Sequence, residues 1–325
     1  MGKKKFNFIM ILGLVLTLAF SMAACKNDQA KKYIPQPGPV QPSPEVAKYK
    51  SEPTISLYRT ATGKTEQIKL ENYIKGVVAA EIGSNYPAEA LKAQAIVART
   101  MTLALMEYEG GTRSKHGTDA SDNHTEFQAY DEKKVTDAIS SAVDATRGQV
   151  LTYQGKFVYA LFHSLSKDKT ASIQEGFPKL QDKAGAYIVP VSTNGIAKAP
   201  EKYKNWTVKI PQSTIKSIMG AKAGDLHDIK ISQVGPSGRA LTITAGQASI
   251  PASDLREKVG FDKLYSTILS GVKAEGNNIV FTGDGWGHGC GMEQWGAFAM
   301  AQGGSNARQI VEHYFPNTTW TQLYQ

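Results

Sequence analysis

A change of character near residue 147 constrains the fold of this chain more than any other feature. Before it, residues 69–82 and 87–109 carry apolar side chains at helical spacing, and the second segment is rich in alanine, the strongest helix former. After it, short runs of β-branched and aromatic residues are separated by Gly-containing turns, which is typical of strands and hairpins. Helices first and mixed strands later predict an α+β domain rather than a doubly wound sheet.

The elements that we predict follow this division. The first part has a strand at 54–60, the two helices above, a polar loop at 110–129 and a helix at 134–147. The second part is predicted to be a mixed, mostly antiparallel β region with a Gly-rich loop and a helix near the C-terminus. No repeat of fixed period is visible. Its strands are expected at 149–153, 156–164, 207–210, 228–234, 240–245 and 278–283, with short helices at 211–219, 252–258 and 306–314.

Residues 1–24 are typical of a secretory signal peptide. Three lysines open the segment, and the apolar run from Phe8 to Phe20 is too short for a comfortable membrane span. The ending Met-Ala-Ala-Cys resembles the lipobox of bacterial lipoproteins, so we expect Cys25 to be a lipid anchor and the first residue of the mature chain. An uncleaved anchor with a buried Cys25 is the alternative, and both place the bulk of the chain outside the cytoplasm.

Residues 25–50 are predicted to be a disordered tether, because they are rich in Pro, Lys and Gln and nearly lack large aliphatic side chains. The folded domain is then expected at 51–325. Only two cysteines are present, Cys25 and Cys290, so no disulfide framework is expected. The net charge of the full chain is +8, and a mild positive excess remains when the three lysines of the signal peptide are removed. That excess suits an anionic partner such as a cell-wall polymer or a lipid surface, and it serves solubility equally well. We expect no nucleic-acid partner.

Glu81 is the first candidate for chemistry. It continues the apolar spacing of residues 69–82 and lies at the end of that helix, just before the turn Gly-Ser-Asn-Tyr. Partial burial raises the pKa of a carboxyl group, and a neutral carboxylic acid near pH 7 can protonate a glycosidic oxygen. The alternative is a structural Glu that holds the turn. Glu89 is a weaker candidate, because its place in the first turn of the next helix is explained by helix capping and the helix dipole.

Two basic residues of the second helix are ambiguous. Arg99 is surrounded by Val97, Ala98 and Met101, and a guanidinium on such a face is usually paired with a carboxylate. It either orients Glu81, binds substrate or forms a purely structural ion pair. Lys92 is less informative still.

The segment 283–304 is the most unusual stretch of the chain, because glycine occupies six of its positions from Gly283 to Gly296 at close spacing. Glycines let a ligand approach the backbone closely. Trp286 and Trp295 are suited to stacking on sugar rings, and His288 to binding substrate or transferring a proton. The alternative is a tight packing loop with both tryptophans in the core.

Two further clusters argue against other chemistries. His163 and Ser164 end a strand, but the Gly-x-Ser-x-Gly elbow of a Ser–His hydrolase is missing. Polar side chains in the loop 116–124 match no strong zinc pattern, so a solvated loop is the better interpretation. Those side chains are His116, Asp119, Asp122 and His124.

Three blocks of sequence together resemble the family of stage II sporulation protein D, which also includes amidase-enhancer proteins. They are residues 70–104 (LENYIKGVVAAEIGSNYPAEALKAQAIVARTMTLA), 162–178 (FHSLSKDKTASIQEGFP) and 285–318, which begins GWGHGCGMEQWGAFAMAQGG. The first and third blocks are highly specific, and the three lie in family order along nearly the whole mature chain.

The resemblance implies a peptidoglycan lytic transglycosylase, which cleaves glycan strands between N-acetylmuramic acid and N-acetylglucosamine and needs no cofactor. It assigns the catalytic acid and base to Glu81, the Glu before the Pro-x-Glu-Ala-Leu-Lys run, and not to Glu89. The sugar's own C6 hydroxyl attacks C1, so one carboxyl group suffices and a 1,6-anhydro end forms. The residues that inherit a substrate-binding role are Lys92, Arg99, Gln128, His163, Ser164, Trp286 and His288.

This chain departs from the family pattern in two places. The loop before Gln128 contains no cysteine, so the cysteine-held zinc of some relatives is not expected and no metal is predicted. The second block reads SLSKDKTASIQ and lacks the glycines of the relatives, which bears on substrate preference and activity. A non-catalytic enhancer that binds peptidoglycan or a cell-wall amidase is therefore the second hypothesis, and a structural lipoprotein the third.

Overall fold

The computed structural model describes residues 40–325. The predicted signal peptide, Cys25 and the tether up to residue 39 lie outside the described residues. Between residues 40 and 325, no helix combines the length and the apolar character that a membrane crossing requires.

The described residues contain both helices and strands. The helices are Pro44–Ala47 (α1), Leu70–Glu81 (α2), Ala88–Tyr108 (α3), Arg113–His116 (α4), Asp137–Ala145 (α5), Ile173–Gly176 (α6), Gln181–Ala184 (α7), Gln212–Met219 (α8), Ala252–Val259 (α9), Gln294–Gln302 (α10) and Ala307–Tyr314 (α11). The strands are Thr54–Arg59 (β1), Lys64–Lys69 (β2), Ala120–Ser121 (β3), Gln149–Tyr153 (β4), Lys156–Phe157 (β5), Phe162–His163 (β6), Trp206–Pro211 (β7), Lys230–Val234 (β8), Ala240–Ala245 (β9), Ala248–Pro251 (β10), Ile268–Glu275 (β11), Asn278–Asp284 (β12), Met292–Glu293 (β13) and Thr319–Gln322 (β14).

Helix α3 is the central element of the fold. Its alanine-rich sequence lets helices approach closely on several sides, and it packs against α2, α5, α10, α11 and strand β4. Fourteen of its side chains are buried. Because α3 touches both the N-terminal helices and the C-terminal helices, it joins the first and third sequence blocks into one core.

Several small sheets surround these helices, and most of their strand pairs are antiparallel. Strand β1 lies between β2 and β3, strand β4 between β14 and β5, and β6 pairs in parallel with β13. The predicted α+β class is therefore confirmed. The predicted strand 156–164 is wrong in its middle, because residues 158–161 are buried but pair with no strand, and only β5 and β6 form at its ends.

The region from Trp206 to Asp284 contains the order β–α–β–β twice, although no repeat is visible in a first inspection of the sequence. The first copy is β7–α8–β8–β9 and the second is β10–α9–β11–β12. Each copy completes the sheet of the other, since β7 pairs with β12 and β10 pairs with β9. In both copies an Ile-Pro pair ends the first strand and a Gly with positive φ follows the helix, as in 210–220 and 250–260.

The predicted tether is wrong for its last residues. Val46 and Tyr49 are buried in the core around α2, and the backbone N–H of Ser43 donates to the carbonyl of Gly155 over 2.9 Å. Lys48 Nζ lies 2.7 Å from the Glu107 carboxylate. Two apolar side chains in a polar segment were too few to predict burial, yet they fit a groove made by the rest of the chain, so the folded unit begins before residue 51.

Candidate active site

The C-terminal end of α2 opens into a pocket of about 230 Å³. The residues that line it come from α2, β6, the loop before β7, the Gly-rich loop and the start of α10. They are Glu81, Phe162, His163, Ser164, Tyr203, Trp286 and Gln294. Four of the eight residues predicted from the sequence therefore meet at one place.

Glu81 is held at the pocket by the geometry of the helix end. It is the last residue of α2, and Gly83 follows in the left-handed region with φ +68°, which turns the chain toward α3. The apolar face of α2 packs into the core and leaves Glu81 on that face where the helix stops. The backbone N–H of Ala129 donates to Glu81 Oε1 over 3.2 Å.

The electrostatic surroundings of Glu81 favour its neutral form. Burial raises the pKa of Glu81 from an ordinary value of 4.5 to about 7, and the Ala129 N–H and the Gln294 amide oppose that rise without cancelling it. No cation is among the residues that line the pocket. Glu81 can therefore both donate and accept a proton near neutral pH, which is what an acid/base catalyst requires.

His163 is fixed in the pocket wall as a neutral ring. Its Nε2 lies 2.7 Å from Ser166 Oγ and its Nδ1 lies 3.2 Å from the carbonyl of Cys290. Arg239 donates to the same Ser166 oxygen over 3.0 Å, so that hydroxyl has its proton free for His163 Nε2, and Nδ1 carries the ring proton. Burial, His288 and Arg239 hold the pKa of His163 well below its usual range.

Trp286 forms an aromatic wall together with two tyrosines. Its ring stacks on Tyr265 at 4.2 Å between centroids, and Tyr203 meets it edge-on at 5.2 Å. Backbone bonds in both directions tie Trp286 to Leu165, and Gly285 before it has φ +77°. One side of the indole is thus packed, and its remaining surface faces the pocket. Trp295, the other candidate for stacking, packs on Tyr86 and is not among the lining residues.

Comparison with known proteins identifies the family of this chain. Residues 58–153 match a family model described as Stage II sporulation protein. Stage II sporulation protein D of Bacillus amyloliquefaciens is 31% identical over 275 residues, which cover 81% of this chain and 77% of that protein. The chain belongs to the stage II sporulation protein D family.

Other matches extend the family relationship. Stage II sporulation protein D of Bacillus subtilis (strain 168) is 31% identical over 282 residues, covering 82% of this chain and 78% of the relative. The amidase enhancer of the same organism is 28% identical over 297 residues, covering 76% of this chain but 40% of that longer protein. Residues 160–291 match a second family model, described as a domain of unknown function. That segment includes the doubled β–α–β–β region.

Arg99 does not take the substrate-binding place that the family resemblance implied. It has no exposed surface, and its Nη2 lies 2.6 Å from Glu71 Oε2. The carbonyls of Gln149 and Val143 accept further bonds from it. Arg99 is therefore the cation of a buried ion pair that joins α3 to the start of α2, and it cannot reach a ligand in the pocket.

Lys92 lies outside the pocket lining as well. Its Nζ is 2.7 Å from Glu89 Oε1, and Glu89 Oε2 accepts from the backbone N–H of Ala307 over 2.7 Å. Glu89 thus accepts a hydrogen bond from the first residue of α11, a different helix from the one that contains it. This contact accounts for Glu89 without a catalytic role. Lys92 is partly exposed and neutralises this carboxylate.

Gln128 and His288 support the pocket from behind. Gln128 donates to Thr102 Oγ1 over 2.7 Å and is buried, while its neighbour Ala129 holds Glu81. His288 packs against Phe177, with 4.8 Å between ring centroids, and its Nδ1 accepts from the backbone N–H of Cys290. Burial lowers the pKa of His288 to about 3. Neither side chain lines the pocket, so direct substrate contact is not expected from either in this structure.

Three of the four polar side chains of the loop 116–124 contact other parts of the fold, and the fourth, His124, is exposed. His116 stacks on Tyr58 with 3.8 Å between centroids and bonds to Glu126. Asp119 accepts from the backbone of Ser56, and Asp122 from that of Thr60. Across residues 40–325, no group of three or more His, Cys, Asp or Glu side chains is placed to hold a metal ion.

Three lining residues were missed in the sequence. Phe162 stands in the second block beside His163, but as an apolar residue in a strand it gave no sign of function. Tyr203 belongs to the polar segment 198–204, where no periodic pattern exists. Gln294 lies within the Gly-rich segment that was singled out, and its position at the start of a helix was the only available signal.

Proposed function

We propose that this protein is a peptidoglycan lytic transglycosylase that acts outside the cytoplasm on the bond between N-acetylmuramic acid and N-acetylglucosamine. The observation that carries the proposal is Glu81, a carboxyl group with a raised pKa at the base of a polar pocket with an aromatic wall. Membership of the stage II sporulation protein D family supports the same activity. Sugar rings are bound by aromatic faces and hydrogen bonds, and both are present here.

Glu81 acts first as an acid. It donates its proton to the glycosidic oxygen, the bond from that oxygen to the muramic acid C1 breaks, and an oxocarbenium-like transition state forms. The Glu81 carboxylate then takes the proton from the C6 hydroxyl of the same sugar, whose oxygen attacks C1. The products are a 1,6-anhydro end and a new free hydroxyl, and no water is consumed. The intramolecular nucleophile gains from proximity.

The number of carboxyl groups at the pocket supports this route over hydrolysis. A hydrolase that inverts or retains configuration uses two carboxyl groups that flank the bond. Among the described residues that line the pocket, Glu81 is the one carboxylic acid. Glu293 is close in sequence to Gln294, but it is fully buried and bonded to Thr193 behind the wall.

The remaining lining residues take supporting roles. Trp286 and Tyr203 stack on or flank a sugar ring, and Ser164 and Gln294 offer hydrogen bonds to hydroxyl or acetamido groups. His163 supports the pocket wall as a neutral ring and is not the acid, because both of its nitrogens are hydrogen-bonded within the protein and its pKa is held low. Cys25 remains the proposed lipid anchor, which would hold the enzyme at a membrane surface facing the wall.

A product assay tests the proposal directly. Residues 26–325 are incubated with purified peptidoglycan, both intact and stripped of stem peptides, and products are analysed by mass spectrometry. We expect 1,6-anhydro-muramyl ends from the wild type and none from Glu81→Gln. Products with a reducing end and one added water would contradict the transglycosylase mechanism. They would show that the protein is an enzyme that hydrolyses the glycan instead.

The second candidate is an amidase enhancer without chemistry of its own. The similarity to the Bacillus subtilis amidase enhancer and the altered run SLSKDKTASIQ favour it. It predicts wall binding by both wild type and Glu81→Gln, no anhydro products from either substrate, and faster release of stem peptides when a cell-wall amidase is added. The same assay with and without amidase separates the two functions.

A further inference from the structure

Two glutamine side chains form a line that ends on Glu81. Gln294, the first residue of α10, lines the pocket together with Glu81, and its amide lowers the pKa of the Glu81 carboxyl group. Its Nε2 also lies 3.5 Å from Oε1 of Gln94, which belongs to α3. The two residues are 200 positions apart, so the line joins the first and third sequence blocks at the place where the catalytic carboxyl sits.

Gln94 occupies a buried position where its polar side chain destabilises the fold. It has no exposed surface, and its neighbours in α3, Ala93 and Ala95, are buried apolar residues. Within residues 40–325, its Nε2 finds no hydrogen-bond partner. A buried unpaired N–H destabilises a fold, and a methionine of similar shape would avoid the cost. The atom of Gln94 that does have a contact is Oε1, which can only accept.

This acceptor determines which way the Gln294 amide faces. An amide offers two N–H groups on one side and a carbonyl on the other. Gln94 Oε1 attracts the nitrogen side, so the second N–H of Gln294 remains available for the Glu81 carboxyl. Without Gln94, the Gln294 amide could turn and present its carbonyl oxygen, which repels a carboxylate.

We propose that Gln94 and Gln294 are positioning residues that hold the Glu81 side chain and stabilise its carboxylate form through a relay of amides. For catalysis this inference rests on the proposed function, because only an acid/base cycle uses both forms of Glu81. In that cycle Glu81 loses its proton to the leaving oxygen and regains one from the C6 hydroxyl. The donors that face the new carboxylate are the Gln294 amide and the Ala129 N–H.

An amide suits this task better than a charged or an apolar side chain. An Arg or Lys would favour the ionised form of Glu81, and the acid form would be lost. An apolar residue would leave the carboxylate with one donor in a buried place. A neutral donor assists the anion and still allows the proton to return.

Few other titratable groups face Glu81. In the pocket wall they are His163, which is neutral, and Tyr203, and on its own helix Tyr73. Glu293 precedes Gln294, and burial raises its pKa to about 8, so its ionisation must be separated from that of Glu81. A Glu293→Gln variant identifies its signal.

The test measures the ionisation of Glu81 itself. Protein with ¹³C-labelled glutamate carboxyl groups is titrated by NMR, and the Glu81 signal is identified by its loss in Glu81→Gln. We expect the acid dissociation constant of Glu81 to fall by about threefold or more in Gln294→Met, with a smaller fall in Gln94→Met. The double variant Gln94→Met/Gln294→Met should have the same Glu81 acid dissociation constant as Gln294→Met, because Gln94 acts through Gln294. Ile96→Met, a buried change in the same helix, is the matched control and should leave the constant unchanged.

The outcomes are distinguishable from failure of the proposed function. An unchanged Glu81 titration in both glutamine variants overturns the relay, whatever happens to activity. A changed titration in a protein that forms no anhydro product supports the relay and rejects the transglycosylase. In an active enzyme, the relay also predicts a lower kcat and a high-pH limit of kcat/KM moved upward in Gln294→Met. A higher KM with kcat and titration unchanged would make Gln294 a simple substrate contact and overturn the proposal.

Discussion

The two ends of helix α2 each bury a glutamate, and the surroundings of the two carboxyl groups differ. At the start, Glu71 has almost no exposed surface and receives bonds from Arg99, the Tyr324 hydroxyl and the backbone N–H of Gly148. At the end, Glu81 accepts one hydrogen bond from the backbone N–H of Ala129, and its remaining side faces a pocket that Gln294 also lines.

The difference distinguishes a structural carboxylate from the proposed catalytic one in the same helix. The Arg99 guanidinium lies 2.6 Å from the Glu71 carboxylate and ties it to α3, so this glutamate is held between two helices. Glu81 is buried without a cation, so burial decides its pKa. Burial alone therefore predicts little about function, whereas burial with neutral donors and an open side predicts acid/base chemistry.

The largest expected effect comes from removing the proton of Glu81. Glu81→Gln keeps the shape and the hydrogen bonds of the side chain, so we expect turnover to fall by about 10³-fold or more. Unfolding by urea should occur at the same or a slightly higher midpoint, because a buried ionisable group is replaced by a neutral one. Retention of more than a tenth of the activity would show that the acid lies elsewhere.

The other end of the helix should respond in stability. Arg99→Leu leaves the Glu71 charge buried without its partner, and we expect the free energy of unfolding to fall by about 3–5 kcal/mol. The double variant Glu71→Leu/Arg99→Leu is the control, and much of the loss should be recovered there. If Arg99→Leu unfolds normally but no longer cleaves glycan, the substrate-binding role of Arg99 would have to be reinstated.

The pH dependence of stability sharpens the same comparison. The folded-state pKa of Glu81 is raised from 4.5 to about 7, so between these values the folded protein holds a proton that the unfolded chain has lost. The stability of the wild type relative to Glu81→Gln should therefore fall as pH rises from 5 to 8. Urea unfolding of both proteins at four pH values measures this difference in stability. The contribution of Glu293 cancels in the difference because both proteins contain it. Parallel curves would mean that Glu81 ionises as an ordinary carboxyl group.

A smaller effect is expected at the aromatic wall. Tyr203→Ala removes the ring that meets Trp286 edge-on, and we expect KM to rise by about 3- to 10-fold with little change in kcat. Tyr203→Phe keeps the ring and should behave almost as the wild type. Initial rates on soluble glycan fragments give both constants. A larger loss in Tyr203→Phe than expected would assign the function to the hydroxyl.

The smallest effect is expected at Lys92. Its ion pair with Glu89 is partly exposed, so Lys92→Ala should cost less than about 1 kcal/mol of stability and less than twofold in activity. The comparison of unfolding midpoints and initial rates is sufficient. A tenfold loss of activity with normal stability would indicate that the glycan extends along α3 and touches Lys92.

The sequence was most informative where structure is local. The apolar spacing of residues 69–82 predicted both the helix and the exceptional place of Glu81, because periodicity within a helix determines which side is buried. Arg99 was left open for the opposite reason. A buried arginine reveals its role only through its partner, and Glu71 is 28 residues away on another helix.

Long-range assembly explains the residues that were missed. Tyr203 reaches the pocket because its carbonyl accepts from Gly285 over 2.8 Å, a contact that no local pattern reveals. Gln94 lies in a helix that was predicted correctly, yet its importance depends on Gln294 in another block. Val46 and Tyr49 likewise became core residues only through surfaces formed far along the chain.

The doubled β–α–β–β region explains where the aromatic wall of the pocket lies in the fold. In one sheet the chain passes from β9 to β10 through two residues, Gly246 and Gln247. At the matching place in the other sheet, β12 and β7 are neighbours but no turn joins them. The chain enters β7 from Tyr203, and it leaves β12 toward Trp286. The aromatic wall thus occupies the position of an opened hairpin turn, so its two sides can change in length and composition without altering the strand pairing of the two sheets.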